Sequence, residues 1–473
     1  MKDKSPKNIT PITTDQSTSA RSWTMDGPSI QMDPLFPYYL NRSTESVADE
    51  IWLSGYRIVH YFVINESRVL GELIYALHQR GIAVWALVLG NGTFDVSHLP
   101  PNYPEWRMGL LQDPKDGFER FSFFSSEYVL WKKEAVAKLV RDYPFDGIEI
   151  AESYFPEWDG IRSGVYGDIG PLAEEAFQRQ CGQSLPDFRN EQSANYYTKV
   201  QEVYANWMSF RVEAVNDFVA EVIRGVGGVR EVRPDIKVAT WSLAVNDIEA
   251  GAKLREWQGM DAVSMIERVK PDLHMIQTHW PDWMQRNLPA DYLKYYECIT
   301  LPIRNAFPEL PLGMQTDIGS IASMVRNQRW LNQFQNTVYD LGYDTWTAYE
   351  YHLGGYMTEE PPMPLVAKLK GTQLIISYSK RIDPQSVTSI LIYCTSQQSS
   401  SREKSFPPLP LHIDLIRDPS IEVDGNRMLI HSNQWPTHPF EVEIMGVKDT
   451  PTLWYSKGKR ANHVPAGIRI KVE

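Results

Sequence analysis

The stretch that decides the fold is WKKEAVAKLVRDYPFDGIEIAE, residues 131–152, which predicts a helix followed by a buried strand. The helical pattern breaks at YPFDG, and DGIEIAE then alternates apolar residues with acids. Ile148 and Ile150 share one face of this strand, because side chains in a strand alternate with a period of two. Glu149 therefore lies on the opposite face, and Glu152 falls where the strand ends.

The same order of elements repeats along the chain. Apolar runs that predict strands lie at 22–32, 57–64, 82–89, 146–152, 236–243, 272–280, 310–317 and 344–352, and helical patterns separate many of them. Strands that alternate with helices are typical of parallel βα units, and the count of eight favours a closed (β/α)₈ TIM barrel. No GxGxxG or GxxxxGK[ST] motif follows these strands, so the usual signature of a nucleotide-binding open sheet is missing.

The pattern changes near residue 361, where PPMP interrupts the alternation of strands and helices. Short alternating strands such as TQLIISY, RMLIH and FEVEIM follow, and they predict a small antiparallel β-sandwich. We therefore expect a disordered N-terminal tail over 1–21, a catalytic α/β barrel over 22–362 and an accessory β-sandwich over 363–473.

Composition limits the classes of partner. A net charge of −12 argues against nucleic acid and against an anionic membrane surface, and no apolar run is long enough for a transmembrane helix. The polar N-terminal segment lacks the apolar core of a secretory signal, so we expect a cytoplasmic protein. The three cysteines are far apart and no histidines have metal-ligand spacing, so neither a metal nor another cofactor is expected. The oligomeric state is not indicated.

Two carboxylates are candidate catalytic groups, because active sites in this fold lie at the C-terminal ends of the strands. Glu152 ends the fourth predicted strand, and Glu350 lies among aromatic residues at the end of the eighth. Aromatic surroundings raise the pKa of a carboxyl group, which suits a proton donor. Such a pair can divide the work between proton transfer to a leaving oxygen and attack as nucleophile or base.

Other polar and aromatic residues near the strand ends are candidate substrate ligands. They are Asp26, His60, Asn91, Glu149, Tyr154, Trp158, Trp241, His279, Trp280 and Asp317. Aromatic residues make up 12% of the chain, which fits either core packing or stacking on the apolar faces of sugars. Two interpretations also stay open for Glu149, which either binds substrate or joins an ion pair that fills the barrel interior.

The segment WKKEAVAKLVRDYPFDGIEIAES resembles the helix and fourth strand of TIM-barrel glycoside hydrolases, a group that includes family-10-like hypothetical glycosyl hydrolases and β-galactosidase and α-fucosidase barrels. The shared feature is a Tyr-Pro-x-Asp-Gly-Ile turn, here YPFDGI. Retaining glycosidases of one large clan end strand four in Asn-Glu-Pro, and here Ala151, Glu152 and Ser153 keep only the acid/base Glu. Separately, ISYSKRIDPQSV resembles the opening of bacterial S-layer-type Ig-like domains, which implies a bacterial protein and, as an alternative, an extracellular location.

The resemblance and the strand-end acids together predict a glycoside hydrolase with a carbohydrate substrate. Two alternatives remain open at the level of sequence. The first is a barrel that binds carbohydrate without cleaving it. The second is a different barrel hydrolase or lyase that uses His60 or His279.

Overall fold

The computed structural model describes residues 27–156, 160–318, 321, 324–348, 360–396, 412–437, 439–450 and 460–473. Eight parallel strands close into a barrel with helices around it, and the predicted (β/α)₈ fold is confirmed. The barrel strands are β1 (Gly27–Met32), β2 (Ile58–Val63), β3 (Ala83–Leu89), β4 (Gly147–Ala151), β5 (Lys237–Leu243), β6 (Leu273–Gln277), β7 (Leu312–Thr316) and β8 (Thr345–Ala348). Each strand pairs with its neighbours in sequence order, and β1 closes the barrel against β8.

Helices follow or separate these strands. Their bounds are α1 (Thr44–Leu53), α2 (Gly71–His78), α3 (Ser126–Asp142), α4 (Pro171–Cys181), α5 (Gln201–Arg224), α6 (Val229–Val232), α7 (Ala250–Gln258), α8 (Ala262–Val269), α9 (Trp280–Trp283), α10 (Glu297–Ala306) and α11 (Gln328–Asp340). None of the described helices combines the length and the apolarity needed to cross a membrane.

The helix that leads into β4 has clear start and stop signals. The Ser125 side chain accepts a hydrogen bond from the Tyr128 N–H, which caps the N-terminus of α3. The helix ends at Asp142, and Tyr143 is extended because it precedes Pro144, whose ring disfavours a helical conformation at the preceding residue. The chain then enters β4, where Ile148 and Ile150 are buried in the core between the sheet and the helices.

The C-terminal residues form a sandwich of two four-stranded antiparallel sheets with its own apolar core. One sheet has the order β9 (Pro364–Lys370), β10 (Gln373–Tyr378), β14 (Arg427–His431), β13 (Ser420–Asp424), and the other has the order β12 (His412–Leu415), β11 (Leu391–Ser396), β15 (Phe440–Met445), β16 (Arg469–Lys471). The prediction that this domain is of the S-layer Ig-like type stays a prediction.

A polar cluster joins the sandwich to the barrel at α1. The Arg42 guanidinium donates to Glu50 at 2.6 Å and to the side-chain oxygen of Asn426, in the sandwich, at 3.0 Å. Gly425 has a φ of +62°, and a Cβ at this position would lie 2.1 Å from the Arg42 Nε. Glycine therefore allows the turn between β13 and β14 to approach α1 closely.

Candidate active site

A cavity of about 370 Å³, here called the mouth cavity, opens among the C-terminal ends of the barrel strands. Its wall includes four residues that the sequence predicted as site residues, namely Glu152, Tyr154, Trp280 and Asp317. Phe62, Leu89, Phe94 and Trp283 add apolar surface. Two carboxyl groups therefore share one cavity with five aromatic residues in its wall. A cavity of about 620 Å³ lies outside the barrel beside α3 and α5, away from the strand ends.

Glu152 directly follows β4 and is partly buried. Burial raises the pKa of its carboxyl group from 4.5 to about 7, and the positive charge of Arg120 opposes this rise. No described residue forms a hydrogen bond with the carboxyl group. A carboxyl group with this pKa can both give and accept a proton near neutral pH.

The backbone at Glu152 has an uncommon conformation. Its φ is 52°, in the left-handed region that non-glycine residues seldom adopt. This conformation redirects the chain at the end of β4, so that both Glu152 and Tyr154 line the mouth cavity. Residues in sparsely populated backbone regions cluster at active sites and persist where the surrounding structure holds them.

A second cavity of about 240 Å³, the side cavity, adjoins the first. Glu152 and Tyr154 line both cavities, so the two cavities meet at these residues. The far wall includes Phe118 and Arg120, which lie in a hairpin formed by the two-residue strands Gly92–Thr93 and Glu119–Arg120 and their connection. The Arg120 guanidinium donates to both carboxylate oxygens of Asp116, at 3.1 and 2.6 Å.

Asn91 and Trp241 hold Tyr154 in place. The Asn91 amide donates to the Tyr154 carbonyl oxygen at 3.1 Å and accepts from the Tyr154 N–H at 3.2 Å. The Tyr154 ring stacks on Trp241, with ring centroids 5.9 Å apart, and Trp241 is only 1% exposed. Both residues were predicted as substrate ligands, and the structure places Asn91 in the wall of the side cavity and Trp241 beneath Tyr154.

Glu149 and His60 contact each other inside the barrel. The Glu149 Oε2 and the His60 Nδ1 lie 2.6 Å apart, and both side chains are buried. The His60 ring stacks on Trp85, with centroids 5.9 Å apart. The structure thus places these two predicted ligands together, and neither belongs to the wall of the mouth cavity. The contact with His60 is a pairing inside the barrel, as one of the two interpretations of Glu149 expected.

The remaining predicted residues have different positions. His279 precedes α9, and its backbone N–H donates to the Tyr296 hydroxyl at 3.1 Å. Asp26, Trp158 and Glu350 lie outside the described residues, so the predicted partner role of Glu350 stays a prediction. Within the described ranges, no group of three or more His, Cys, Asp or Glu side chains is arranged to hold a metal ion.

Sequence reasoning missed several polar residues at the strand ends. The Gln315 amide donates to Gln31 at 3.1 Å and to Gln277 at 2.9 Å, which links β7 to β1 and β6 across the barrel. Asp33 directly follows β1, and burial raises the pKa of its carboxyl group to about 6. The positions of these residues at strand ends could have identified them from the sequence. The glutamines were missed because neutral amides do not stand out among charged candidates.

Asp317 follows β7 and is buried at the edge of the mouth cavity. Its negative charge interacts with the guanidinium of Arg326. The same guanidinium donates to the carbonyl oxygens of Trp283 and Gln285, at 3.2 and 2.7 Å. Arg326 thereby connects the strand-seven carboxylate to the segment that carries the cavity tryptophans.

No protein-family model matches the chain, and no curated protein matches it either. Among solved structures, it resembles the catalytic domain of a β-amylase from Paenibacillus polymyxa, with 10% identity, 69% of this chain and 93% of that chain covered, and a TM-score of 0.46. It also resembles a β-galactosidase from Rahnella sp. R3, with 12% identity, 70% of this chain and 51% of that chain covered, and a TM-score of 0.46. An endo-β-1,4-mannanase from Thermotoga petrophila is 12% identical, with 95% and 97% covered and a TM-score of 0.37.

At these identities and TM-scores the similarities carry no argument about activity. The fold class rests on the closed eight-stranded sheet itself. The reaction that the site can perform therefore depends on the side chains of the mouth cavity.

Proposed function

We propose that this protein is a glycoside hydrolase whose proton donor is Glu152. The observation that carries the proposal is the presence of two carboxyl groups, Glu152 and Asp317, in one cavity that five aromatic residues also line. Paired carboxyl groups that flank the scissile bond are the usual machinery of glycosidases. Tyr154, Trp280 and Trp283 supply rings that can stack on the apolar faces of a sugar.

The two acids have different roles in the proposed reaction. Glu152, with its raised pKa, gives its proton to the glycosidic oxygen as the bond between that oxygen and the anomeric carbon breaks. Asp317 acts on the anomeric carbon, either directly as a nucleophile or by activating water. Water finally supplies the hydroxyl group of the released sugar. Its proton passes to Glu152 if Asp317 is the nucleophile, and to Asp317 if Asp317 activates the water. Glu350 remains the alternative partner predicted from sequence.

The test is hydrolysis of a broad panel of oligosaccharides and aryl glycosides, followed by the release of reducing ends. We expect Glu152→Gln and Asp317→Asn each to lose activity by about 100-fold or more, because each removes one catalytic carboxyl group. The control is Glu267→Gln, an exposed position on α8, which should keep full activity. Full activity of Glu152→Gln would refute the proposed role, and glycan binding without hydrolysis by the wild type would favour the non-catalytic carbohydrate-binding barrel.

A further inference from the structure

Glu152 lines two cavities, and this position indicates how large the substrate is. Glu152 lines both the mouth cavity and the side cavity, and Tyr154 is the other residue that the two cavities share. In a glycosidase the proton donor must reach the glycosidic oxygen, which joins the sugar that reacts to the group that leaves. A substrate whose glycosidic oxygen lies at Glu152 can therefore extend into both cavities.

We propose that the substrate is an oligosaccharide that extends past Glu152 into both cavities, with the reacting sugar in the mouth cavity and the leaving sugar in the side cavity. This inference rests on the proposed function. It adds that the enzyme cleaves a sugar–sugar linkage, rather than a bond to an alkyl or aryl group.

The chemistry of the side cavity supports a sugar as the leaving group. Its wall combines the Arg120 guanidinium and the Asp116 carboxylate with the ring of Phe118. Hydroxyl groups can accept from a guanidinium and donate to a carboxylate, and the ring offers an apolar surface to a pyranose. A simple alkyl or aryl group would cover these charged groups without adding a hydrogen bond to either of them.

Tyr154, where the cavities meet, is held in place by its neighbours. Asn91 donates one hydrogen bond to the Tyr154 backbone and accepts one from it, and the Tyr154 ring stacks on Trp241. The Arg120 side chain is also fixed, since its guanidinium is bonded to Asp116 and lies 5.1 Å from the centroid of the Phe118 ring. Fixed walls reduce the loss of conformational freedom on binding.

The experiment measures binding without turnover, in the full chain with Glu152→Gln. Labelled protein is first applied to a broad glycan array. Each disaccharide fragment of a bound glycan is then titrated by calorimetry beside the methyl glycoside of its non-reducing sugar. Val165→Trp is added to fill the side cavity, since Val165 lines the side cavity and not the mouth cavity, and Val165→Ala is the matched control.

We expect a disaccharide to bind about tenfold tighter than the methyl glycoside of its non-reducing sugar. About two further hydrogen bonds to the second sugar would give a difference of this size. Val165→Trp should abolish this difference and leave binding of the methyl glycoside unchanged, which also shows that the variant is folded. If Val165→Trp does not fold, Phe118→Ala should reduce the disaccharide affinity alone.

Equal affinity for the two ligands, or a difference that survives Val165→Trp, would overturn the inference while the proposed function stands. Binding to no glycan on the array would instead refute the proposed function, and the inference with it. The two failures are therefore distinguishable.

Discussion

Replacement of Glu152 by Gln is expected to stabilise the protein at alkaline pH and to leave its stability almost unchanged at acid pH. Burial raises the pKa of this carboxyl group from 4.5 to about 7. Between these values the folded chain holds a proton that the unfolded chain has lost, so protonation favours the folded state. This contribution is fully present below about pH 4.5 and is lost as the pH rises through about 7.

The magnitude follows from the size of the rise in pKa. A rise from 4.5 to about 7 corresponds to about 3 kcal/mol in the free energy of unfolding. This value is an upper limit, because the side chain is only partly buried and water screens its charge. A glutamine has nearly the same shape and carries no charge at any pH, so Glu152→Gln should recover between about 1 and 3 kcal/mol near pH 8.5.

The assay is urea unfolding followed by tryptophan fluorescence at several pH values from about 4 to about 8.5, with the barrel transition fitted separately from any sandwich transition. Wild type, Glu152→Gln and the exposed control Glu267→Gln are compared at each pH. The gain in stability of Glu152→Gln over wild type should grow with pH, and that of the control should not. A difference that is constant with pH, or that is largest at acid pH, would refute the reasoning.

Two further predictions concern the residues around this site and the domain interface. Activity should fall above about pH 7 as Glu152 loses its proton. Arg120→Met should move this decline to higher pH in a kcat/KM profile, because the positive charge of Arg120 lowers the pKa of Glu152. An unchanged profile would contradict this coupling. Gly425→Ala should destabilise the protein by about 2 kcal/mol or more in urea unfolding, because its new Cβ meets Arg42. The control is Gly371→Ala, where φ is also +62° but the space around the new Cβ is open. It should lower the free energy of unfolding by only about 1 kcal/mol, from backbone strain. Equal losses at the two glycines would contradict the proposed contact.

The architecture of the barrel was accessible from sequence because it depends on local patterns. Each predicted strand overlaps a barrel strand, and the prediction of 146–152 for the fourth strand compares with an observed β4 of Gly147–Ala151. The alternation of Ile148 and Ile150 with Glu149 is a property of the strand alone. Placement of Glu152 at a strand end then follows from the fold, since all eight strands run in the same direction.

Features that depend on contacts between distant parts of the chain could not be predicted from the sequence. The side cavity exists because the hairpin of Gly92–Thr93 and Glu119–Arg120 lies beside the end of β4, and no local pattern encodes that contact. The role of Asn91 depends on Tyr154, which is 63 positions away. The hydrogen bond between the two domains connects residues that lie even further apart in the sequence, since Arg42 and Asn426 are separated by 384 positions.

Glu149, in the middle of β4, and Glu152, just after its end, differ in a way that bears on function. Glu149 is fully buried, and His60 lies within hydrogen-bond distance of it, which is the usual condition for a buried acid in a folded protein. Glu152 has no such partner among the described residues, its pKa is raised, and its backbone adopts a left-handed conformation. These features disfavour the folded state, and the surrounding structure keeps them in place through Asn91 and Trp241, which fix the neighbouring Tyr154. Within the part of the chain that the structure describes, Glu149 has a partner and Glu152, at the edge of two cavities, has none, which keeps Glu152 available for a ligand.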